Sequence, residues 1–327
     1  MPALVTRRLV LGSGLLLPVL VGRAEAGDFD AWLAELRRDA AAAGVGRATL
    51  DRALKGLRPI EEVVELDRRQ PETRLTFAEY RRKVISETRI ARGIERLRQH
   101  RPLLEQVSRR YGVAPATIVA LWGLESSYGE FKGRFPVVGA LATLAWEGRR
   151  AAFFRKELIA ALKIIDRGDV TPEGMYGSWA GAMGQCQFMP STYLGYAADF
   201  DGDGRRDIWQ SLPDVFASIA NYLDRAGWDG GGIWGREVTL PRSLDRRHVG
   251  LGTRATLAEW RARGVRRADG NPLPDAAVEA SLVETDDGAG PAFLVYNNFR
   301  TIMVWNRSTY FALTVGLLAD ELGAGAA

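Results

Sequence analysis

The chain has 327 residues, 46% of them hydrophobic, so it can bury a sizeable core in one large domain or in two to three smaller ones. Its formal charge is +4, and removing residues 1–26, which hold three arginines and one glutamate, leaves 41 basic against 39 acidic side chains. The composition excludes a disordered chain, and the charge balance argues against nucleic acid as a partner.

The first 26 residues have the pattern of a cleaved export signal. Arg7 and Arg8 precede an apolar run over residues 9–20, and a small-residue tripeptide ends at Ala26. This run is shorter than the roughly 20 apolar residues of a membrane span, and no later segment is long enough. We therefore expect a periplasmic protein with no membrane span. Residues 6–11 fit either a twin-arginine signal or the general secretory route.

Helical periodicity covers most of the remaining chain. Helices are predicted from Phe29 to a stop at Gly44, within residues 76–100, from Leu103 to Gly112, from Pro115 through Glu125, from Ala151 to Gly168, from Ser211 to Gly227, and from Thr309 to Leu322. Between residues 235 and 295, β-prone pieces such as Glu237–Leu240 and Ala280–Glu284 alternate with proline, glycine and aspartate clusters. This pattern predicts a small, partly β insertion.

One glutamate lies on a predicted apolar helix face. Ile118, Trp122 and Glu125 are spaced i, i+4 and i+7, which puts the carboxyl among side chains that should be buried. Burial raises the pKa of a carboxyl group, and a raised pKa suits a proton donor near neutral pH. The spacing alone leaves open a glutamate that pairs with an arginine at a helix end.

The segment Ser178–Tyr193, SWAGAMGQCQFMPSTY, combines glycines, small residues and two glutamines. It suits the close-approach wall of a groove whose amides bind sugar substituents, or alternatively a tight loop that packs on the core. Cys186 is the only cysteine, so no internal disulfide can form. A buried packing role is favoured for this thiol over a nucleophilic one.

An acidic loop follows. Asp199, Asp201 and Asp203 at alternate positions, followed by Gly204, match the first half of an EF-hand loop. The twelfth position of the loop, where an EF-hand has a glutamate that binds the ion, is Gln210. Asp214 could supply the missing carboxylate from the following helix. We expect a structural Ca²⁺ and no cofactor for catalysis, because no histidine or cysteine cluster accompanies the loop. A solvated turn without metal is the alternative.

Three motifs resemble the membrane-bound lytic transglycosylase B family, glycoside hydrolase family 103: GLESSYG at 123–129, the segment Ser178–Tyr193, and YNNFRTIMVWNRSTYFAL at 296–313. The resemblance spans most of residues 29–323. It implies a mainly α fold, in which a lysozyme-like helical core is joined by an N-terminal α domain and a small inserted β-containing domain. The corresponding boundaries are a signal peptide 1–26, the N-terminal domain 27–104, the core 105–234, the insertion 235–295 and a returning segment 296–327.

The same resemblance implies a lytic transglycosylase that cleaves the β-1,4 bond between N-acetylmuramic acid and N-acetylglucosamine in peptidoglycan and forms 1,6-anhydromuramyl ends. Glu125 would act as acid and then as base. The implied substrate contacts and metal ligands are Ser178, Gln187, Tyr222, Asn298 and Tyr80 for the glycan, and Asp199, Asp201, Asp203, Asp214 and the backbone carbonyl of Arg205 for calcium. From the residues themselves, Tyr222 could equally belong to the core and Gln187 could brace its loop.

Two alternatives stay open on the sequence. One is a hydrolytic muramidase in which Asp207 or Asp214 positions water. The other is a non-catalytic, calcium-dependent wall-binding protein. The expected partners are peptidoglycan glycan strands and cell-wall synthesis proteins, and a monomer is the expected state.

Overall fold

A computed structural model describes residues 26–69 and 75–326. The predicted export signal, apart from Ala26, lies outside the described residues. These residues divide into two compact units. We name the first the sheet unit, which comprises residues 75–124 and 222–326, and the second the Glu125 unit, which comprises residues 26–69 and 125–221.

Helices dominate both units. In chain order they are α1 (Ala26–Ala42), α2 (Arg47–Ala53), α3 (Glu61–Arg68), α4 (Phe77–Val84), α5 (Glu87–Gln99), α6 (Arg101–Tyr111), α7 (Pro115–Ser126), α8 (Val137–Glu147), α9 (Ala151–Asp166), α10 (Pro190–Tyr196), α11 (Leu212–Arg225), α12 (Leu257–Ala262), α13 (Asn297–Trp305) and α14 (Thr309–Ala326). Each helix predicted from periodicity is present, with ends within a few residues of those predicted. Among the described residues, no helix combines the length and apolar character needed to cross a bilayer.

Local chemistry explains several helix ends. The α6 helix stops at Gly112, whose φ of 70° is left-handed, a conformation that glycine adopts without a steric penalty. The α4 helix begins with a capping box in which Thr76 and Glu79 exchange hydrogen bonds between side chain and backbone. Pro115 opens α7, where its missing N–H has no partner to lose. These ends are encoded within a few residues and were therefore predictable.

The strands are short and mostly belong to the sheet unit. They are β1 (Phe135–Pro136), β2 (Tyr176–Gly177), β3 (Gly235–Thr239), β4 (Ala255–Thr256), β5 (Arg266–Arg267), β6 (Glu279–Glu284) and β7 (Ala292–Val295). The last five form an antiparallel sheet in the order β4-β6-β7-β3-β5, with Leu282 opposite Leu294 and Val238 opposite Ala292. β1 and β2 pair separately in the Glu125 unit. The predicted β-prone pieces correspond to β3 and β6.

A small core covers one face of the five-stranded sheet. Trp260 on α12 is fully buried and packs with Leu282 and Leu294 in a cluster of apolar side chains. Its indole Nε1 donates a 3.1 Å hydrogen bond to the Ala280 carbonyl, so the buried N–H group has a hydrogen-bond acceptor. Trp260 and Leu257 of α12 thus pack the helix against the sheet.

In the Glu125 unit, α8 packs against α9 and is one of the helices that periodicity did not predict, together with α2, α3 and α10. All nine residues from Val137 to Ala145 are buried. A helix that is apolar on every side has no 3.6-residue alternation, which explains why the pattern gave no signal. Thr143, the polar member of this stretch, donates to the Gly139 carbonyl at 2.8 Å and accepts from the Ile60 N–H at 2.9 Å.

Candidate active site

Glu125 lies in the last turn of α7, one residue before the helix ends. The five side chains from Ile118 to Trp122 are buried, and so is Leu124. The predicted apolar stripe is therefore one side of a helix that is apolar all round. Glu125 is only half-buried, while its neighbours Leu124 and Ser126 are buried. Its carboxyl group thus sits at the boundary between an apolar interior and an accessible surface.

The GLESSYG motif forms a strained turn directly after Glu125. Ser127, Tyr128 and Gly129 have φ values of 52°, 60° and 82°, three successive left-handed residues. Such a conformation costs about 1–2 kcal/mol for each residue other than glycine. The Ser126 hydroxyl accepts a 3.1 Å hydrogen bond from the Gly129 N–H, which closes the turn. The serine and the glycine of the motif therefore fix the end of α7 and with it the position of Glu125.

The segment from Ser178 to Phe188 is a tight loop in the same unit. Ser178 accepts the Ala182 N–H on its hydroxyl at 3.0 Å, and its own N–H donates to the Ala182 carbonyl at 2.7 Å. Gly181 and Gly184 have φ values of 86° and 61°. A Cβ on Gly184 would lie 2.7 Å from the Ile208 carbonyl oxygen, so only glycine fits there. This packing fits the tight loop against the core, one of the two roles that the sequence left open, and the groove wall for sugar stays a prediction.

Both glutamines of this loop are buried and bonded within the Glu125 unit. The Gln187 side chain donates to the Gly184 carbonyl at 2.8 Å, and its backbone has a left-handed φ of 49°. Gln185 donates to the Trp209 carbonyl at 3.0 Å. The bracing role that the sequence left open for Gln187 is therefore present.

The charge of Glu125 acts on the thiol of Cys186 in this loop. The thiol is fully buried and lies 3.5 Å from the Val215 carbonyl oxygen. Burial, and after it the negative charges of Glu125 and Asp214, raises the pKa of Cys186 well above its usual value. A thiol in this setting stays protonated, which agrees with a packing role.

The remaining predicted glycan contacts belong to the sheet unit. Tyr222 is 8% exposed, and its hydroxyl donates to the Val304 carbonyl at 2.9 Å while its ring packs edge-on against Trp305 at 4.8 Å. The ring of Tyr80 lies 5.9 Å from that of Tyr310. Tyr222 thus has the core contacts that its apolar helix stripe suggested.

Asn298 braces a loop. It is 1% exposed, accepts the Asp229 N–H at 2.7 Å, and donates to the carbonyls of Asp229 and Gly232 at 2.8 Å each. These bonds occupy both amide hydrogens and one position on the oxygen. The side chain therefore fixes the turn at residues 229–232.

The acidic loop brings carboxylates together as a cation site requires. One oxygen from each of Asp199, Asp201 and Asp214 lies within 4.8 Å of the other two, and Asp214 is fully buried. Asp203 is outside this group, and its carboxylate accepts the Arg205 N–H at 2.8 Å. Oxygen-only donors of this kind suit a hard cation such as Ca²⁺.

Burial raises the pKa of Asp214 to about 6, against the effect of hydrogen bonds from the N–H groups of Phe200 and Asp207. The charges of Asp201 and Asp199 raise it further. A carboxylate held beside two others in a buried position costs free energy unless a cation neutralises the group. The residues present therefore fit a bound divalent cation.

The two aspartates proposed for a hydrolytic mechanism are both used by this loop. Asp207 accepts the N–H groups of Trp209 and Gln210 at 2.8 Å on one carboxylate oxygen. Asp214 receives two backbone hydrogen bonds and belongs to the acidic group. Both carboxylates therefore accept backbone hydrogen bonds within the loop.

Two exposed aromatic side chains were not singled out from the sequence. Phe131 is 42% exposed, and its N–H donates to the Ser126 carbonyl at 2.9 Å, so it follows directly on the turn after Glu125. Tyr176 on β2 is 44% exposed, and the Trp209 indole donates to its carbonyl at 3.0 Å. Both rings are accessible at the surface of the Glu125 unit. Sequence carries no signal for this, because only folding decides which aromatics stay exposed.

Comparison with known proteins identifies the family of the chain. The family model described as transglycosylase SLT domain matches residues 28–320. The chain is 32% identical over 292 residues to membrane-bound lytic murein transglycosylase B of Escherichia coli (strain K12), an alignment that covers 85% of this chain and 79% of that protein.

Two solved structures illustrate the likeness. SltB3 from Pseudomonas aeruginosa in complex with NAG-anhNAM-pentapeptide is 46% identical, with a TM-score of 0.87 over 91% of this chain and 80% of that one. The Escherichia coli lytic transglycosylase Slt35 in complex with calcium is 29% identical, with a TM-score of 0.76 over 91% and 93%. The mainly α, lysozyme-like fold class is confirmed. The chain therefore belongs to the transglycosylase SLT domain family, which confirms both the family and the enzyme class, lytic transglycosylase, that its sequence predicts.

Proposed function

We propose that this lytic transglycosylase cleaves the β-1,4 bond between N-acetylmuramic acid and N-acetylglucosamine in peptidoglycan, with Glu125 as acid and then as base, and leaves 1,6-anhydromuramyl ends. The observation that carries the proposal is the placement of Glu125, half-buried at the end of an apolar helix and held by a strained turn. The relative SltB3 binds NAG-anhNAM-pentapeptide, which contains the kind of end that this reaction produces.

The proposed reaction needs one carboxyl group in two protonation states. The protonated Glu125 gives its proton to the glycosidic oxygen as the bond to the muramyl carbon breaks, and the muramyl N-acetyl group stabilises the positive centre. The ionised Glu125 then accepts the proton of the muramyl 6-hydroxyl as its oxygen bonds to that carbon. The atoms balance without water, and the enzyme regains its proton.

Substrate contacts are proposed for five further side chains: Ser178, Gln187, Tyr80, Tyr222 and Asn298. Ser178 and Gln187 belong to the glycine-rich loop of the Glu125 unit, and the bonds within that loop would hold it rigid for a sugar. Asn298 and Tyr222 would act mainly by fixing backbone, since their polar groups already bond within the sheet unit. Phe131 and Tyr176 offer exposed ring faces to the glycan.

A structural calcium ion is proposed at the acidic loop. Asp199, Asp201 and Asp214 would hold it, with Asp203 and the backbone carbonyl of Arg205 completing the oxygen ligands. The ion would neutralise the buried carboxylate of Asp214 and tie α11 to the loop. Slt35, solved in complex with calcium, supports the proposal.

Export to the periplasm follows from the peptidoglycan substrate and from the signal pattern of residues 1–26. The domain boundaries predicted at 104, 234 and 295, the monomeric state and the recruitment by cell-wall synthesis proteins remain proposals with it.

Product analysis tests the function. Purified peptidoglycan is digested with the wild type, with Glu125→Gln and with Glu130→Gln, a glutamate five residues further on that is exposed. We expect anhydromuropeptides, one water lighter than hydrolysis products, from the wild type and Glu130→Gln and none from Glu125→Gln. Products with reducing muramyl ends would instead indicate hydrolysis. Wild-type levels of cleavage by Glu125→Gln would remove Glu125 from the mechanism.

A further inference from the structure

A groove of about 420 Å³ lies entirely within the sheet unit. It is bounded by β3, β6, the end of β7 and the start of α13, together with residues 229–233. Its volume is within the range of small-ligand sites. Three arginines line it, Arg236, Arg254 and Arg300, and we name it the arginine groove.

None of these three arginines has a carboxylate partner in the described part of the chain. Arg246, Arg261 and Arg267 of the same unit pair with Glu284, Asp275 and Asp269. Arg254, by contrast, is exposed and makes no hydrogen bond to any described residue. A cation that faces a groove without a counter-charge is available to an anion.

The other two arginines are fixed in place by neutral groups. Arg300 donates to the Leu251 carbonyl at 2.7 Å and to the Ser281 hydroxyl at 2.6 Å. Burial, and then the charge of Arg254, lowers the pKa of Arg300, so the two guanidinium groups lie near enough to repel. Arg236 donates to the Tyr296 hydroxyl at 2.7 Å. A bound carboxylate would relieve the repulsion between these cations.

Two carboxylates also line the groove. Asp229 accepts the Gly231 N–H at 3.0 Å, and Glu279 is exposed on β6. Neither forms an ion pair with the three arginines in the described residues, and the groove keeps one net positive charge. It therefore suits a ligand of low negative charge more than a polyanion such as a nucleic acid.

The rim of the groove is apolar. Ile233 and Val278 are 51% and 43% exposed, among the few large hydrophobic side chains of the described chain that remain at the surface. Pro274 and Ala276 line the same edge. Aliphatic contacts beside a cationic centre fit a short peptide with small side chains and a free carboxylate.

We propose that the arginine groove binds the carboxyl-terminal end of the peptide stem of peptidoglycan, with its carboxylate against Arg254 and Arg300 and its aliphatic side chains against Ile233 and Val278. This inference rests on the proposed function, because it takes peptidoglycan as the substrate. The enzyme would then distinguish glycan that carries intact stems from bare glycan.

The test changes one arginine of the protein and the terminal carboxylate of the ligand, first separately and then together. Binding of NAG-NAM-pentapeptide is measured by calorimetry, with the free carboxyl terminus and with the terminus converted to a carboxamide. The proteins are the wild type, Arg254→Ala and, as a matched control, Arg242→Ala, an exposed arginine outside the groove. A third variant, Ala276→Trp, fills the groove without changing charge. Circular dichroism verifies that each variant is folded.

We expect the wild type and Arg242→Ala to prefer the free carboxylate by about tenfold, as one charge-assisted contact provides. Arg254→Ala should bind both ligands with equal affinity, and Ala276→Trp should weaken both by a similar factor of about ten. A carboxylate preference that survives in Arg254→Ala, or that is missing from the wild type, would overturn the proposal. Cleavage of glycan strands by the wild type is measured separately. If the wild type does not cleave them, the proposed function is contradicted, whereas the binding result for the groove still stands.

Discussion

The most specific prediction concerns the stability of the metal-free protein near pH 5. Asp214 is fully buried, and its pKa is raised from 3.8 to about 6. The unfolded chain would release this proton near pH 4, whereas the folded chain holds it until about pH 6. Between these values the folded state binds more protons, so the free energy of unfolding must fall as the pH rises.

The size of the effect follows from the pKa shift. A shift of about two units corresponds to about 3 kcal/mol at 1.36 kcal/mol for each unit, an upper bound that solvent around the loop will reduce. We expect the contribution of Asp214 to decrease by about 2 kcal/mol between pH 4 and pH 7 and to stay level above that. Bound calcium should reverse the loss at pH 7, because the cation neutralises the ionised cluster.

Urea denaturation at several pH values, with chelator and with calcium, measures this. The contribution of Asp214 is the difference between the wild type and Asp214→Asn, which cannot ionise at this position. Asp224→Asn is the matched control, since this exposed aspartate on the same helix lies outside the acidic group and is not a proposed calcium ligand. The reasoning is wrong if Asp214→Asn and the wild type have parallel pH profiles in chelator, or if calcium stabilises Asp214→Asn as much as the wild type.

Four further predictions concern single side chains. Ser126→Ala should lose about 1 kcal/mol of stability and part of the activity, since the Gly129 N–H loses its acceptor; urea titration and zymography measure both. Gly184→Ala should destabilise the protein by more than about 1 kcal/mol, whereas Gly195→Ala, with open space around it, should be neutral or stabilising in thermal melts. Asn298→Ala should lose about 1–3 kcal/mol, and an unchanged urea midpoint would contradict its bracing role. Cys186 should react with a thiol reagent only after unfolding.

The sequence anticipated those features whose cause lies within a few residues. Helix ends at Gly112 and Pro115 follow from backbone sterics, and the paired glycines of the Ser178 loop follow from the space that a Cβ would need. The strands β3 and β6 were predictable because β-prone residues are flanked by turn residues. The resemblance of three motifs added the family, which the comparisons confirm.

Periodicity was less informative where burial is complete. The α8 helix has no polar side to mark it, and α7 is apolar all round, so the spacing of Glu125 from Ile118 and Trp122 did not by itself identify a face. What singles out Glu125 is its half-exposed position beside a turn of left-handed residues. That property depends on how the rest of the chain covers the helix.

What the sequence by itself determined is therefore local: which segments are helical, where they end, and that a glutamate stands in a Glu-Ser-x-x-Gly motif. Only the tertiary structure decided which distant groups meet. It placed Asn298 as a brace for residues 229–232 and brought Arg236, Arg254 and Arg300 around one groove. The physical reason is that backbone sterics and capping act between near neighbours in the chain, whereas charge clustering, exposure and packing depend on residues that only folding brings within a few ångströms.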